Sequence, residues 1–251
     1  MAKKHERLKA DFGLIGKNID YSFSKGYFNN KFELSGLTHY YDNFDIPTIE
    51  AFPEIIKEHP ELRGLNVTIP YKEAVIPYLD KLHKCAQKIG AVNTIKITKK
   101  GKLVGYNTDY YGFKKSLEPL LKPQHEQALI LGTGGASKAI QHALKKLGII
   151  AHFVSRNQSQ KAKYTYDTLT AFVIDKHEII INCTPLGTHP NISACPNIPY
   201  HAITPQHLCY DLIYNPEVTS FLKQAKKQGA EIQNGLKMLE LQAEKAWEIW
   251  Q

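Results

Sequence analysis

Residues 128–148, ALILGTGGASKAIQHALKKLG, pass without a break from a short apolar stretch through Gly132, Gly134 and Gly135 into an amphipathic one. A buried strand, a tight turn and a helix in that order open a βαβ unit, which in turn demands a parallel sheet. Glycines keep side chains out of the turn, so backbone N–H groups at the helix start can approach a pyrophosphate whose charge the helix terminus favours. Gly132, Gly134, Gly135 and Ala136 are therefore candidate dinucleotide contacts. A turn that merely packs strand on helix is the alternative, and the flanking strand and helix weigh against it.

The next apolar stretch, IIAHFVS (149–155), leads into Ser155, Arg156 and Asn157. About 20 residues past the glycines, an NAD-binding protein usually carries an acid for the ribose hydroxyl. A guanidinium in that place pairs with a 2′-phosphate that a carboxylate would repel, so Arg156 favours NADP over NAD.

The alternation extends on both sides of this motif. After ALILG (128–132) come a helix over 135–147, IIAHFVS, a long helical stretch, EIIINCT (178–184) and HLCYDLIY (207–214). Strands so uniformly apolar suit a parallel sheet covered on both faces. Before it stand FGLIG (12–16), a helix after Ser24, HYYDNFD (39–45), a helix near 47–59 and GLNVTIP (64–70). Lys72 follows a Pro-Tyr turn where the chain is expected to pass from strand to helix. AVNTIKIT (91–98) and KLVGYNT (102–108) flank Lys99-Lys100-Gly101 as a β-hairpin, and Asp109 then opens a helix toward Leu121. Near the end, Leu236, Leu239, Ala243, Ala246, Trp247 and Trp250 recur at helical spacing, giving a helix expected to pack back on the first lobe.

Composition narrows the class. The 251 residues are 43% hydrophobic and 22% charged, as in ordinary folded proteins. No stretch approaches the roughly 18 consecutive apolar residues of a membrane span, and the amino end is charged, so a cytoplasmic protein is expected. Cys85, Cys183, Cys195 and Cys209 lie far apart with no CxxC pair, which predicts reduced, mostly buried thiols and no zinc or disulfide framework. No His/Cys cluster suggests a metal. The net charge of +8 is spread over scattered lysine pairs, so a small anionic ligand explains it as well as nucleic acid does.

GLNVTIPYK (64–72), GAVNT (90–94) and GYNTDYYG (105–112) each put Asn, Thr, Lys or Asp at the end of an apolar strand, the edge where open α/β sheets bind ligands. With FGLIGKNIDYSFS, INCTPLGT (181–188), YDLIYNPEVTSFL (210–222) and NGLKMLELQ, they make the chain resemble the shikimate dehydrogenases along nearly its whole length. The resemblance implies NADP-linked interconversion of 3-dehydroshikimate and shikimate, a step toward aromatic amino acids, by a monomer or homodimer. It implies Lys72 and Asp109 as the catalytic pair, with Ser22 and Ser24 on the substrate carboxylate and Tyr214 near it. Thr68, Asn93, Asp109 and Gln242 would meet the ring hydroxyls. Gly235 and Met238 would contact the nicotinamide, and Thr184 would lie beside the cofactor.

Removing hydride from a carbinol carbon requires the hydroxyl proton to leave as well, and a nicotinamide accepts only the hydride. In the reductive direction a protonated lysine suits donation to the forming alkoxide, while the residues leave open which of Lys72 and Asp109 carries the proton. Quinate is a rival substrate, since a pocket with room for one more hydroxyl rejects it only weakly. A non-catalytic NADP-binding regulator is a rival of another class, against which the intact Lys72 and Asp109 argue.

The expected architecture is α/β in two domains with the active site in the cleft. An α/β substrate domain comprises 1–106 and the returning helix 235–251, and a Rossmann-like NADP-binding domain comprises 107–234. The first loop departs from the family, having Asn18-Ile19, Tyr21-Ser22 and Ser24-Lys25 where prolines are common. Losing them leaves the loop more freedom, with Lys25 adding positive charge. Thr133, Gln160 and Thr188 depart near the cofactor.

Overall fold

The computed structural model describes residues 11–20, 22–158 and 162–251; Tyr21 and Gln160 lie outside them. Two compact units emerge, one formed by the chain up to Thr108 with Ala246–Gln251, the other by Asp109–Lys245. The division thus falls at 108/109 where 106/107 was expected, and the last helix is split at Lys245 where it was expected to go whole with the first domain.

The first unit contains β1 (Phe12–Gly16), α1 (Phe23–Leu34), β2 (Tyr41–Asp45), α2 (Phe52–Glu58), β3 (Gly64–Val67), β4 (Lys81–Leu82), α3 (Lys84–Ile89), β5 (Thr94–Ile97) and β6 (Leu103–Tyr106). Its sheet runs β2-β1-β3-β5-β6-β4, with β1 parallel to both β2 and β3, and β5 antiparallel to β3 and β6. Ile15, Phe44, Leu65, Val67 and Ile95 fill its core. Ser22 caps α1, accepting the Ser24 N–H at 3.2 Å, and Phe28 and Phe32, four apart, bury its inner face.

One expectation fails here for a local reason. No α-helix carries Lys72: residues 69–75 are turns, and only Ile76–Tyr78 winds as a 3₁₀ helix. Pro70 and Pro77 bracket the stretch, and each lacks an N–H and restricts the residue before it, leaving no room for a regular helix. The helix expected near 47–59 is present, as a 3₁₀ turn at Ile49–Ala51 running directly into α2.

The second unit holds α4 (Asp109–Leu117), β7 (Gln127–Leu131), α5 (Gly135–Lys146), β8 (Ile150–Ser155), β9 (Tyr164–Thr165), α6 (Ala171–Asp175), β10 (Ile179–Asn182), β11 (Leu208–Asp211), α7 (Ser220–Lys227), β12 (Glu231–Gln233) and most of α8 (Leu236–Trp250). All its strand pairs are parallel, in the order β12-β11-β10-β7-β8-β9. Alternate residues face opposite cores: Ala128, Ile130, Leu208 and Tyr210 go to one, Leu129, Leu131, Ile180 and Cys209 to the other. Both faces are therefore covered, as uniformly apolar strands require. Read outward from β7, this is the doubly wound arrangement whose direction reverses between β7 and β10.

Among the described residues no long helix follows Ser155 before β10. Tyr164, Thr165 and Tyr166 favour extended backbone, a Thr165/Thr168 capping box turns the chain, and Thr170 caps a helix of five residues, α6. The four thiols are free, yet only Cys209 is fully buried; the other three are half-buried. Among the described residues no helix is long and apolar enough to cross a membrane.

Candidate active site

In the first unit β1, β2 and β3 end at Gly16, Asp45 and Val67, while antiparallel β5 begins opposite Asn66 and β6 ends opposite Thr94. These polar strand ends share one sheet edge. There the Asn93 Nδ2 donates to Thr108 Oγ1 at 3.0 Å and the Thr108 N–H donates to Asn93 Oδ1 at 2.6 Å. Thr94 Oγ1 donates to Asn93 Oδ1 at 3.1 Å, and Asn66 Nδ2 reaches Thr94 Oγ1 at 3.3 Å and the Asn93 carbonyl at 3.2 Å. Tyr41, wholly buried, donates to Asn66 Oδ1 at 2.9 Å. Burial holds the Tyr41 hydroxyl well above the ordinary tyrosine pKa, which keeps it neutral.

The result is one hydrogen-bonded chain, Tyr41–Asn66–Thr94–Asn93–Thr108. It holds Asn93, expected at the ring hydroxyls, between Thr94 and Thr108, and such a network fixes the side chain's orientation. Thr68 follows β3, with its N–H on the Ile15 carbonyl and its own carbonyl accepting from Tyr71 N–H, both at 2.9 Å. Half-buried Lys72 accepts the Val92 N–H on its carbonyl at 2.7 Å, so its backbone is pinned to the residue before Asn93.

The first loop is held without its prolines. Asp45 accepts the N–H groups of Asn18 and Ile19, both at 3.0 Å, and Asn18 adopts a positive φ of 56°. Lys25 pairs with Asp42 at 2.6 Å, a hydrogen bond that raises the lysine pKa, so its charge is matched within the unit.

In the second unit Asp109 stands buried at the start of α4, where the helix dipole favours a negative charge. A Cβ on Gly112 would lie 2.5 Å from the Met238 carbonyl and 3.0 Å from Gln242 Cβ. That close approach places Met238 and Gln242, both buried, against the first turns of α4. Tyr214, half-exposed, lies three residues past β11.

The glycine turn sits where the sheet reverses. Gly132 has φ +105°, and a Cβ there would meet Thr184 Cγ2 at 3.2 Å and the Cys183 carbonyl at 3.4 Å. Gly134 is the N-cap of the twelve-residue α5 and would meet nothing within 4 Å, an open cradle at a helix N-terminus. Gly135 and Ala136 form the first turn. One strand away, Ser155 Oγ accepts the Asn157 N–H at 3.4 Å, and Arg156 and Asn157 are exposed. The Tyr166 hydroxyl is buried without a hydrogen-bond partner and pushed up to about 12, chiefly by burial, with the Arg156 guanidinium opposing the rise. Backbone donors on an open cradle with an exposed guanidinium beyond them fit a phosphorylated dinucleotide.

Tyr41, Asn66, Thr94, Asn182 and Asp211 were not among the expected site residues. A signal was present, since Asn66, Asn182 and Asp211 each interrupt an apolar strand, and a buried polar group must find partners.

Known proteins match the chain along nearly its whole length. A relative from Clostridium botulinum named shikimate dehydrogenase (NADP(+)) is 38% identical over 247 residues, covering 95% of each chain. The chain belongs to the shikimate dehydrogenase family. Residues 14–95 match the family's substrate binding domain. A shikimate dehydrogenase (NADP(+)) from Methanosphaera stadtmanae is 40% identical over 256 residues, covering 95% of this chain and 90% of its own. The crystal structure of shikimate 5-dehydrogenase from Thermus thermophilus in complex with NADP(H) and shikimate superposes with a TM-score of 0.85 at 33% identity, covering 96% of this chain and 93% of that one. The two-domain α/β fold is thus that of the shikimate dehydrogenases.

Proposed function

We propose that this chain catalyses the reversible NADPH-dependent reduction of 3-dehydroshikimate to shikimate. The observation that carries the reading is the full-length match to shikimate dehydrogenases, with Lys72 and Asp109 both present. The first unit serves as substrate domain, the second as NADP domain.

Ser22 and Ser24 donate to the substrate carboxylate, with Tyr214 near it, while Thr68, Asn93, Asp109 and Gln242 take the ring hydroxyls. Lys72 gives a proton to the carbonyl oxygen as that oxygen gains charge, and Asp109 orients the same group. When bound, the nicotinamide supplies or accepts the hydride. Gly132, Gly134, Gly135 and Ala136 hold its pyrophosphate, Ser155, Arg156 and Asn157 the 2′-phosphate, and Thr184, Gly235 and Met238 the nicotinamide side.

A cytoplasmic monomer or homodimer without a nucleic-acid partner goes with this reading, supported by free thiols and by positive charge scattered in pairs. The test is absorbance of NADPH formed when purified protein meets shikimate and NADP, with quinate and NAD in parallel. Turnover of shikimate with NADP is expected; a folded protein that turns over neither acid with either cofactor refutes the reading.

A further inference from the structure

Asp211 is a carboxylate with no exposed surface at the end of β11, and its contacts are all donors. Asn182 Nδ2 lies 3.1 and 3.2 Å from its two oxygens, the Ile213 N–H 3.0 Å from one, and Thr219 Oγ1 2.6 Å from the other. Burial raises its pKa while these donors oppose the rise. An apolar side chain would pack β11 as well, and taking a carboxylate out of water is unfavourable. What the carboxylate adds is direction.

Asn182 pairs in register with Asp211 on one side and with Leu131, the residue before the glycine turn, on the other. With its amide nitrogen on Asp211, its Oδ1 faces Thr184, taking the N–H at 3.0 Å and the hydroxyl at 2.7 Å. Thr184 so held lays its methyl against Gly132. On the far side, Ile213 gives its N–H to Asp211 and accepts the Gly235 N–H on its carbonyl at 3.0 Å. A Cβ on Gly235 would run into the Leu212 carbonyl, so that approach is fixed by backbone.

We propose that Asp211 is a positioning residue for the pyrophosphate-to-nicotinamide side of the NADP site, setting Thr184, the Gly132 turn and Gly235 in one arrangement through Asn182 and Ile213. This rests on the cofactor site proposed above. The adenylate side, built on the end of β8, lies outside its reach.

The experiment compares wild type, Asp211→Asn and Thr219→Val for calorimetric binding of NADP and of adenosine 2′,5′-bisphosphate, together with kcat. Asp211→Asn turns an acceptor into a donor facing donors. It is expected to weaken NADP about tenfold, the effect of one unpaired buried donor, and to lower kcat while the bisphosphate binds as before. Thr219→Val, which removes one donor from Asp211 along with the cap of α7, gives the same pattern more weakly and decides the matter if Asp211→Asn fails to fold. Equal weakening of both ligands, or no change in either, overturns the role of Asp211. Wild type that does not bind the bisphosphate overturns the site itself, and the proposal with it.

Discussion

His177 Nε2 accepts a hydrogen bond from His152 Nδ1 across 3.0 Å, and the ends of their chain decide which nitrogens carry protons. The Val173 carbonyl, 2.6 Å from His177 Nδ1, can only accept, and the Lys163 ammonium, 3.2 Å from His152 Nε2, can only donate. Both rings are therefore neutral, with Tyr164 set edge-on against each. Burial lowers both pKa values from 6.5; Lys163 adds to this in each, while Glu178 and the Val173 carbonyl oppose it at His177. The unfolded chain then binds protons more readily than the folded one just below that pH. The stabilisation is present above 6.5 and is lost as pH falls below it. Thermal unfolding followed from neutral to acid should show Tm dropping in that window, with a shallower drop in His152→Gln; parallel profiles contradict the pairing.

Lys72→Ala should lower turnover of shikimate by about 10²- to 10⁴-fold, the usual scale of one positioned proton-transfer group. NADPH binding, titrated by fluorescence, should be unchanged. A variant with near-normal kcat removes Lys72 from the chemistry.

Gly134→Asp separates fold from function. Aspartate is a good N-cap and the position has open space, so Tm should hold or rise slightly. The same carboxylate repels a pyrophosphate, and NADP affinity should fall at least about tenfold. Retained affinity would move the phosphates off this turn.

Arg156→Ala should raise KM for NADP about 10- to 100-fold, the range of a charged hydrogen bond, and leave KM for NAD unchanged. Steady-state kinetics with both cofactors checks it, and a parallel rise for NAD would count against 2′-phosphate recognition.

Gly112→Ala should destabilise by about 1–3 kcal/mol, because a methyl group would press on the Met238 backbone rather than on a side chain able to swing away. Differential scanning calorimetry should then show Tm lower by about 2–4 °C per kcal/mol.

Much of this was legible in residue order. ALILGTGGASKAIQ specified strand, turn and helix because an apolar run, glycines and an amphipathic run each admit few alternatives, and the hairpin around Lys99–Gly101 was legible for the same reason. The apolar pattern around Lys72 points to a helix, and two prolines seven residues apart override it. The stretch after Ser155 reads as a long helix because polar residues fit a solvated helix face as readily as a string of caps. Tyr41 and Asp211 escaped notice for a different reason. Their importance lies in partners 25 and 29 positions away, Asn66 and Asn182, and no local pattern encodes such a pairing.

Trp250 gives its indole N–H to the Ile95 carbonyl at 2.9 Å, 155 positions back, stacks on Phe12, and fills the space above Gly64. A ribosome delivers residues in order, so the second unit, unbroken from Asp109 to Lys245, is whole while the first still lacks this piece. The lobe made first is the lobe finished last. Throughout synthesis the rings of Phe12, Phe28 and Phe32 await their tryptophans, the kind of aromatic surface that draws a chaperone to a nascent chain.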